Sequence, residues 1–198
     1  MHPAPAFKVI DEAPLLAHLR AHPFVTLCAA PQGHPLIAHA PVVVTPERGR
    51  LTLDFHLSRT NALAAHLADG FQAVAVSLGP DAYVSPDWYE RAGQVPTWDY
   101  LTVEAEGRVT AMDEAGLVGL LDQLSAQEEA RLAPKPPWTR SKMSPGRFEV
   151  MLSGIVGAHL GVDRIEGTWK LSQDKPDADR AGVIAALGDH PIARLMRG

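Results

Sequence analysis

The stretch that most constrains the fold is Gly79-Pro-Asp-Ala-Tyr-Val-Ser-Pro-Asp-Trp-Tyr89, followed closely by Val95-Pro-Thr-Trp-Asp-Tyr100. Each proline removes a backbone donor and fixes φ, so prolines at this spacing interrupt any helix. The sequence therefore predicts an ordered, turn-rich loop between two strands. The Tyr and Trp side chains have flat apolar faces with polar tips, which suit stacking on a planar ligand or sealing an interface. The same aromatics would serve equally well to cover the edge of a core.

Short strands are predicted on both sides of this stretch. Apolar or alternating runs bounded by turn residues occupy 24–29, 36–44, 50–57, 71–78, 98–112 and 155–165. Helices are predicted at 61–68 and after Asp11, Asp113, Ser144, Pro176 and Asp189. The inward faces of the last three are predicted to include Met151, Ala181 and Leu195. Strands joined by local turns and flanked by helices indicate an α+β fold built on an antiparallel barrel.

Length and composition limit the broad class. The chain of 198 residues fits one domain, with a barrel core at about 24–112 and 154–170 and helices at the C-terminus. Its 18 Lys and Arg against 23 Asp and Glu give a net charge of −5, which argues against a broad non-specific nucleic-acid surface but leaves room for a local basic patch. Cys28 is the only cysteine, which excludes an intrachain disulfide and a cysteine-based zinc site.

Targeting signals are not evident in the sequence. No apolar run approaches the roughly 20 residues needed to span a bilayer. The first residues lack the basic and apolar regions of a signal peptide. We therefore expect a soluble cytoplasmic protein that does not associate with a membrane.

The best candidate anion site is His56-Leu-Ser-Arg-Thr-Asn61, where a predicted strand meets a predicted helix. Ser58, Thr60 and Asn61 are able to cap that helix, whose free N–H groups favour a phosphate. Arg59 adds a planar guanidinium able to bind two phosphate oxygens. The alternative is an ordinary helix cap beside a solvated arginine.

The nine histidines indicate no metal site. His18 and His22 are four residues apart on a helix, but the sequence fixes no third ligand near them. His39 lies on a strand expected to line the barrel, where a lone histidine is most often a hydrogen-bonded core residue.

Several well-known functional motifs are missing. There is no nucleophile elbow, Walker loop, dinucleotide-binding glycine motif or His-Glu-x-x-His motif. No pair of helices is convincing as a helix-turn-helix. The sequence therefore assigns no catalytic residue, and any contact with DNA would be made through another surface or would be indirect.

The chain resembles the PaiB family, described as FMN-binding negative transcriptional regulators, over nearly its whole length. The similarity includes His56–Asn61, Gly79–Tyr89, Val95–Tyr100 and the segment from Ile165 to Gln173, which ends in Lys-Leu-Ser-Gln. The turn at Ser58 is also similar to the phosphate-binding Ser-Arg-Lys turn of split-barrel flavoproteins such as pyridoxamine-phosphate oxidase. Thr60 stands in place of that lysine.

This resemblance implies an FMN-binding split barrel that forms a homodimer, with the flavin at the dimer interface. It implies that each flavin site is built from both chains of the dimer. The expected cofactor-binding residues are His39, His56, Ser58, Arg59, Thr60, Asn61, Trp98, Lys170, Ser172 and Gln173. Among these, Trp98 is expected to stack, and Lys170 and Gln173 are expected to address the flavin ring.

Three functions are compatible with the resemblance. The first is a flavin-binding transcriptional regulator, which contacts DNA through a surface not yet identified. The second is an FMN-dependent oxidoreductase acting on a small substrate, with His39 or Tyr83 as a candidate proton donor. The third is a heme-handling or flavin-storage protein.

Overall fold

The computed structural model describes residues 3–47 and 49–198. It contains eight strands and five α-helices in those residues, joined by short 3-10 turns. The strands are β1 (Lys8–Val9), β2 (Phe24–Ala29), β3 (Leu36–Pro41), β4 (Val43–Glu47), β5 (Arg50–Ser58), β6 (Phe71–Val84), β7 (Thr97–Ala111) and β8 (Ile155–Lys170). The helices are α1 (Glu12–Ala21), α2 (Glu114–Ala130), α3 (Arg147–Leu152), α4 (Asp177–Leu187) and α5 (Pro191–Arg197).

The strands form one sheet in the order β3-β2-β6-β7-β8-β5-β4, with β1 paired to β8. Every strand pair with a described register is antiparallel. Strand β3, at one end of this order, also contacts β5 near the other end. This part of the sheet therefore curls back on itself, as in a barrel.

Three predicted strand boundaries are wrong. Strand β8 continues past its predicted end at Ile165 to Lys170, and the other two differences have identifiable reasons. Strand β6 continues to Val84, so the first half of the quoted stretch is strand and not loop. The inward alternation of Ala82 and Val84 favours strand over loop despite Pro80. The predicted strand at 36–44 is divided into β3 and β4, because the backbone N–H of Val42 donates to Pro23 O at 2.9 Å and leaves the ladder.

Two compact units divide the chain, and β6, β7 and β8 contribute residues to both. Unit 1 contains residues 3–18, 78–104 and 165–198. Unit 2 contains residues 19–47, 49–77 and 105–164. The predicted single domain over 1–198 stays a prediction.

The core of unit 1 is formed by apolar side chains of its strands and of α4 and α5. Its buried members are Ala82, Val84, Tyr89, Leu101, Val183, Ile192 and Met196. Val183 takes the inward position predicted for Ala181, and Leu195 is exposed where burial was predicted. The orientation of α4 follows from Asp179, which is buried and binds the side chain of Arg91 at 2.8 Å.

In unit 2, α2 packs against β4 and β5 of the sheet. Asp113 caps this helix by accepting a hydrogen bond from Gly116 N at 2.7 Å, as the sequence predicts. The apolar face of α2 packs Leu117 and Leu120 with Val43 of β4 and with Leu152. Met151 is exposed, contrary to the predicted inward face of α3. None of the described helices is both long and apolar enough to cross a membrane.

Candidate functional site

The turn that follows β5 gathers two hydroxyls and one arginine at the surface of unit 2. We call residues Ser58, Arg59, Thr60 and Asn61 the 58–61 turn. The hydroxyls of Ser58 and Thr60 are 2.9 Å apart, and Thr60 N donates to Ser58 Oγ at 3.3 Å. Ser58, Arg59 and Thr60 are exposed. The turn therefore presents a small polar surface whose shape is fixed by its own hydrogen bonds.

Arg59 is fixed at one edge of its guanidinium. Its Nε donates to Ser153 O at 2.7 Å, and its backbone N–H donates to Gly154 O at 3.0 Å. Among residues 3–47 and 49–198, no partner is described for its two terminal nitrogens. This arrangement leaves a charged, forked donor that is already oriented toward an incoming anion.

The predicted helix after this turn is much shorter than expected. It is a single 3-10 segment, Ala62–His66, whose first free N–H is already taken by Asn61 Oδ1, which accepts from Leu63 N at 2.9 Å. Too few peptide dipoles are aligned there to attract a phosphate strongly. Any anion binding would therefore depend on Arg59 and the two hydroxyls.

His56 lies two residues before the turn, half-buried on β5. Its Nδ1 is buried and has no hydrogen-bond partner in the part of the chain described. Burial lowers the pKa of the His56 ring from its ordinary value of 6.5, so the ring is neutral at pH 7.

A second polar pair on the same sheet was not predicted as a unit. Asp54 of β5 lies opposite His159 of β8, and His159 Nδ1 is 2.7 Å from Asp54 Oδ1. The signal that would have found the pair is the strand register, which the sequence does not specify.

His39 lies on the exposed side of β3, which rules out a core histidine. Its Nδ1 is 3.1 Å from Thr26 Oγ1, and its ring stacks on exposed Phe24 with centroids 6.2 Å apart. The side chain is available to a partner or ligand on the outer face of the sheet.

The Lys-Leu-Ser-Gln motif lies in unit 1 and is extensively hydrogen-bonded. Lys170 Nζ donates to Thr97 Oγ1 and to Trp98 O, both at 2.6 Å, and lies 3.4 Å from Asp99 Oδ1. Asp99 is completely buried, and its other oxygen accepts from Ser172 Oγ at 2.6 Å. The ammonium thus has three partners inside the fold and is only slightly exposed.

Gln173 is the last residue of the motif, and its side chain hydrogen-bonds to backbone atoms of three residues. Its Nε2 donates to Trp169 O at 2.5 Å and to Ala6 O at 3.2 Å, and its Oε1 accepts from Leu171 N at 2.7 Å. Ser172 has a φ of 52°, a left-handed conformation that a non-glycine residue adopts only when its surroundings enforce it.

Trp98 is exposed beside the Lys170 network. Its ring makes an edge contact with exposed Tyr83, with centroids 6.2 Å apart. A nearby cavity of about 320 Å³ in the same unit is lined by Phe7, Tyr89, Thr97 and Lys170 among others. The Tyr83–Trp98 pair and this cavity both present aromatic surface on which a flat ligand could stack.

The ten predicted cofactor-binding residues thus fall into two groups. His39, His56 and the 58–61 turn belong to unit 2, whereas Trp98, Lys170, Ser172 and Gln173 belong to unit 1. Within unit 1, Lys170 is brought together with Ser172 through Asp99 and with Trp98 through its carbonyl. No group of three potential metal ligands occurs in the described residues.

Comparison with known proteins agrees with the fold. Residues 1–164 match the sequence model of the family described as "Putative FMN-binding domain". The chain is 28% identical over 192 residues to protease synthase and sporulation protein PAI 2 of Bacillus subtilis, covering 96% of this chain and 91% of that protein.

Two solved structures share the architecture. The FAD- and heme-binding protein of Mycobacterium smegmatis superimposes with a TM-score of 0.60 at 20% identity, covering 92% of this chain and 81% of that one. The flavocytochrome Anf3 of Azotobacter vinelandii gives a TM-score of 0.58 at 17% identity, covering 85% and 72%. The predicted α+β antiparallel split barrel with flanking helices is confirmed. The chain therefore belongs to the PaiB family, and its fold is a split barrel.

Proposed function

We propose that the protein is an FMN-binding transcriptional regulator of the PaiB type, and that its 58–61 turn binds the FMN phosphate. The observation that carries this proposal is the Arg59 guanidinium, held by Ser153 O at one edge and without a described partner at its terminal nitrogens. Family membership supports a flavin ligand, and similarity to the sporulation protein PAI 2 supports a regulatory role.

The donors of the 58–61 turn fit a phosphate better than other flavin groups. Arg59 supplies a planar pair of N–H donors. One of the Ser58 and Thr60 hydroxyls donates to the other, so the pair supplies one further O–H donor. No described carboxylate contacts these three side chains, so no negative charge in direct contact with them would repel an anion bound at the turn. This donor set favours FMN over riboflavin, which lacks the phosphate.

In unit 1, we propose that Lys170, Ser172 and Gln173 act by fixing the backbone near Trp98. Lys170 holds Trp98 O, and Asp99 links Lys170 to Ser172. The exposed faces of Trp98 and Tyr83 are then fixed for stacking on a planar ring. A bound flavin would supply redox chemistry at its ring.

We also propose a homodimer that acts in the cytoplasm. The outer face formed by β2 and β3 exposes Phe24 (67%) and Ile37 (63%) beside His39. Large apolar side chains clustered in this way are more typical of an interface than of a free surface. His39 would then be a contact within the dimer.

Replacement of Arg59 tests the phosphate site. Arg59→Ala should weaken FMN binding by roughly 1.5–3 kcal/mol, because a charged hydrogen-bonding partner is lost. Isothermal titration calorimetry measures the affinity, and Arg194→Ala is the control because Arg194 is an exposed arginine of α5 in the other unit. Equal affinity of Arg59→Ala and the control would remove Arg59 from the FMN site.

An FMN-dependent oxidoreductase is the second candidate function. The exposed Tyr83–Trp98 pair favours it, because it leaves aromatic surface and a phenolic hydroxyl accessible to a small substrate. Reduction of the FMN-loaded protein by NADH or NADPH at catalytic rates would support the enzyme. Enrichment of specific genomic DNA fragments by the purified protein would support the regulator.

A further inference from the structure

We propose that residues 131–147, which follow α2 and lead into α3, form the surface that contacts DNA phosphates. This proposal rests on the regulatory function proposed above and identifies the surface through which it would act. We call residues 131–147 the basic segment.

The basic segment concentrates positive charge in an acidic protein. Its 17 residues contain five cations and no carboxylate, whereas the whole chain has a net charge of −5. The cations are Arg131, Lys135, Arg140, Lys142 and Arg147. Every residue of the segment except Met143 is exposed, so these charges are presented to solvent. Such a local basic surface is the electrostatic feature expected of a site for a polyanion.

Three of the cations are paired with acidic residues of α2. Arg131 lies 3.4 Å from Glu128, Lys135 binds Glu129, and Arg140 lies 3.1 Å from Asp122. Arg140 and Asp122 are both nearly half exposed, and pairs of that kind contribute little free energy. The Arg140 guanidinium is therefore able to exchange Asp122 for a phosphate at small cost.

Lys142 and Arg147 are the two cations without a described carboxylate partner. Lys142 Nζ donates to Pro137 O at 2.8 Å, a contact that orients the ammonium; its charge is attracted by Glu129 but forms no direct ion pair with it. Arg147 is the first residue of α3 and is exposed. These two side chains are the expected primary phosphate contacts.

The segment is held in place before any ligand arrives. Glu129 accepts hydrogen bonds from the Lys135 side chain and from Trp138 N, the latter at 2.8 Å. The Lys135 hydrogen bond, followed by that of Trp138, lowers the pKa of Glu129, so this anchor is ionised at neutral pH. Four prolines in the segment further limit its unfolded conformations. A preorganised surface loses less conformational entropy on binding.

The remaining side chains suit DNA better than a lipid surface. The hydroxyls of Thr139 and Ser141 are hydrogen-bonded to each other at 2.8 Å, which leaves one O–H of the pair as a donor, and hydroxyls are common phosphate contacts. Membrane-surface segments instead pair their cations with a continuous apolar helix face. Here the segment is mostly irregular and contains four prolines, so no such face is formed.

The test is fluorescence anisotropy with a labelled mixed-sequence 30-base-pair duplex, titrated with the full-length protein at several salt concentrations. The variant is Lys142→Gln with Arg147→Gln, and the matched control is Arg194→Gln with Arg197→Gln in α5. Both double variants remove two positive charges from the same chain, so effects of net charge cancel. We expect the first variant to bind the duplex more weakly and to lower the slope of log K against log salt by about two, roughly one per lost phosphate contact. We expect the control to behave like wild type.

Equal binding by the two double variants would overturn the assignment of this surface while leaving a DNA-binding regulator intact. Failure of the wild-type protein to bind the duplex at low salt would overturn both the surface and the regulatory proposal. Tighter binding of wild type to phosphatidylglycerol vesicles than to the duplex would overturn the assignment of this surface to DNA. Flavin binding is measured separately by visible absorbance, so the result of that measurement does not change the interpretation of the DNA-binding titrations.

Discussion

At the scale of single residues, His56 shows how burial changes the chemistry of a side chain. Its ring is half-buried and its Nδ1 has no described partner. Burial lowers the pKa of the folded-state ring below 6.5. As the pH falls below 6.5, the unfolded chain takes up a proton at His56 that the folded chain does not. The contribution of His56 to stability is therefore present at neutral pH and is lost as the pH falls below 6.5.

The pH dependence of stability tests this effect of His56. The free energy of unfolding of wild type should fall between pH 7 and pH 5, and His56→Gln should show a shallower fall. Urea denaturation followed by circular dichroism at each pH measures both slopes. His22 has a pKa lowered in the same direction by burial and by Arg131, so His22→Gln should remove part of the remainder. Parallel slopes for wild type and His56→Gln would contradict the assignment.

Residue chemistry was easier to predict from the sequence than residue environment. The 58–61 turn was identified from its hydroxyls and arginine, and the structure places them together because they are adjacent in the chain. His39 was expected to line the barrel but is exposed, because one step in strand register moves a side chain to the other face. Asp99 was not assigned a role, although it links Lys170 to Ser172 from a position 71 residues before Lys170 in the chain.

At the scale of secondary-structure elements, β7 and β8 approach each other closely at Gly107. A Cβ placed on Gly107 would collide with the carbonyl oxygen of Gly161, which is a backbone atom unable to move aside. Gly119, on the exposed side of α2, has no atom within 4 Å of the same hypothetical Cβ. The two positions therefore form a matched pair for testing how tightly the sheet is packed.

Alanine should have opposite effects at these two glycines. Gly107→Ala should destabilise the protein by roughly 1–3 kcal/mol, because the strands must separate. Gly119→Ala should stabilise it by roughly 0.5–1 kcal/mol, because alanine has the higher helix propensity and restricts the unfolded chain. Chemical denaturation at pH 7 measures both changes. A neutral Gly107→Ala variant would show that β7 and β8 are not in close contact there.

The existence of elements was predicted better than their ends or faces. Strand β6 exceeds its predicted length because alternation of buried and exposed side chains continues past Pro80. In α4, hydrophobic spacing alone favoured Ala181, whereas the hydrogen bonds of buried Asp179 orient the helix toward Val183. Such a contact joins residues 88 positions apart, and local sequence patterns contain no information about it.

At the scale of the whole molecule, charge and apolar surface are distributed unevenly. The chain is acidic, yet the basic segment has five cations and no carboxylate. The outer face of β2 and β3 exposes Phe24 and Ile37 without a described cover. Net charge and composition gave no indication of either feature, because both depend on where the chain places its residues.

Binding of FMN through its phosphate is tested by a visible-absorbance titration of the purified wild-type protein with FMN and, in parallel, with riboflavin. We expect a shifted flavin spectrum and an affinity for FMN at least tenfold higher than for riboflavin, since a charged hydrogen bond contributes roughly 1.5–3 kcal/mol. Equal affinities for the two flavins, or no spectral change with either, would contradict it.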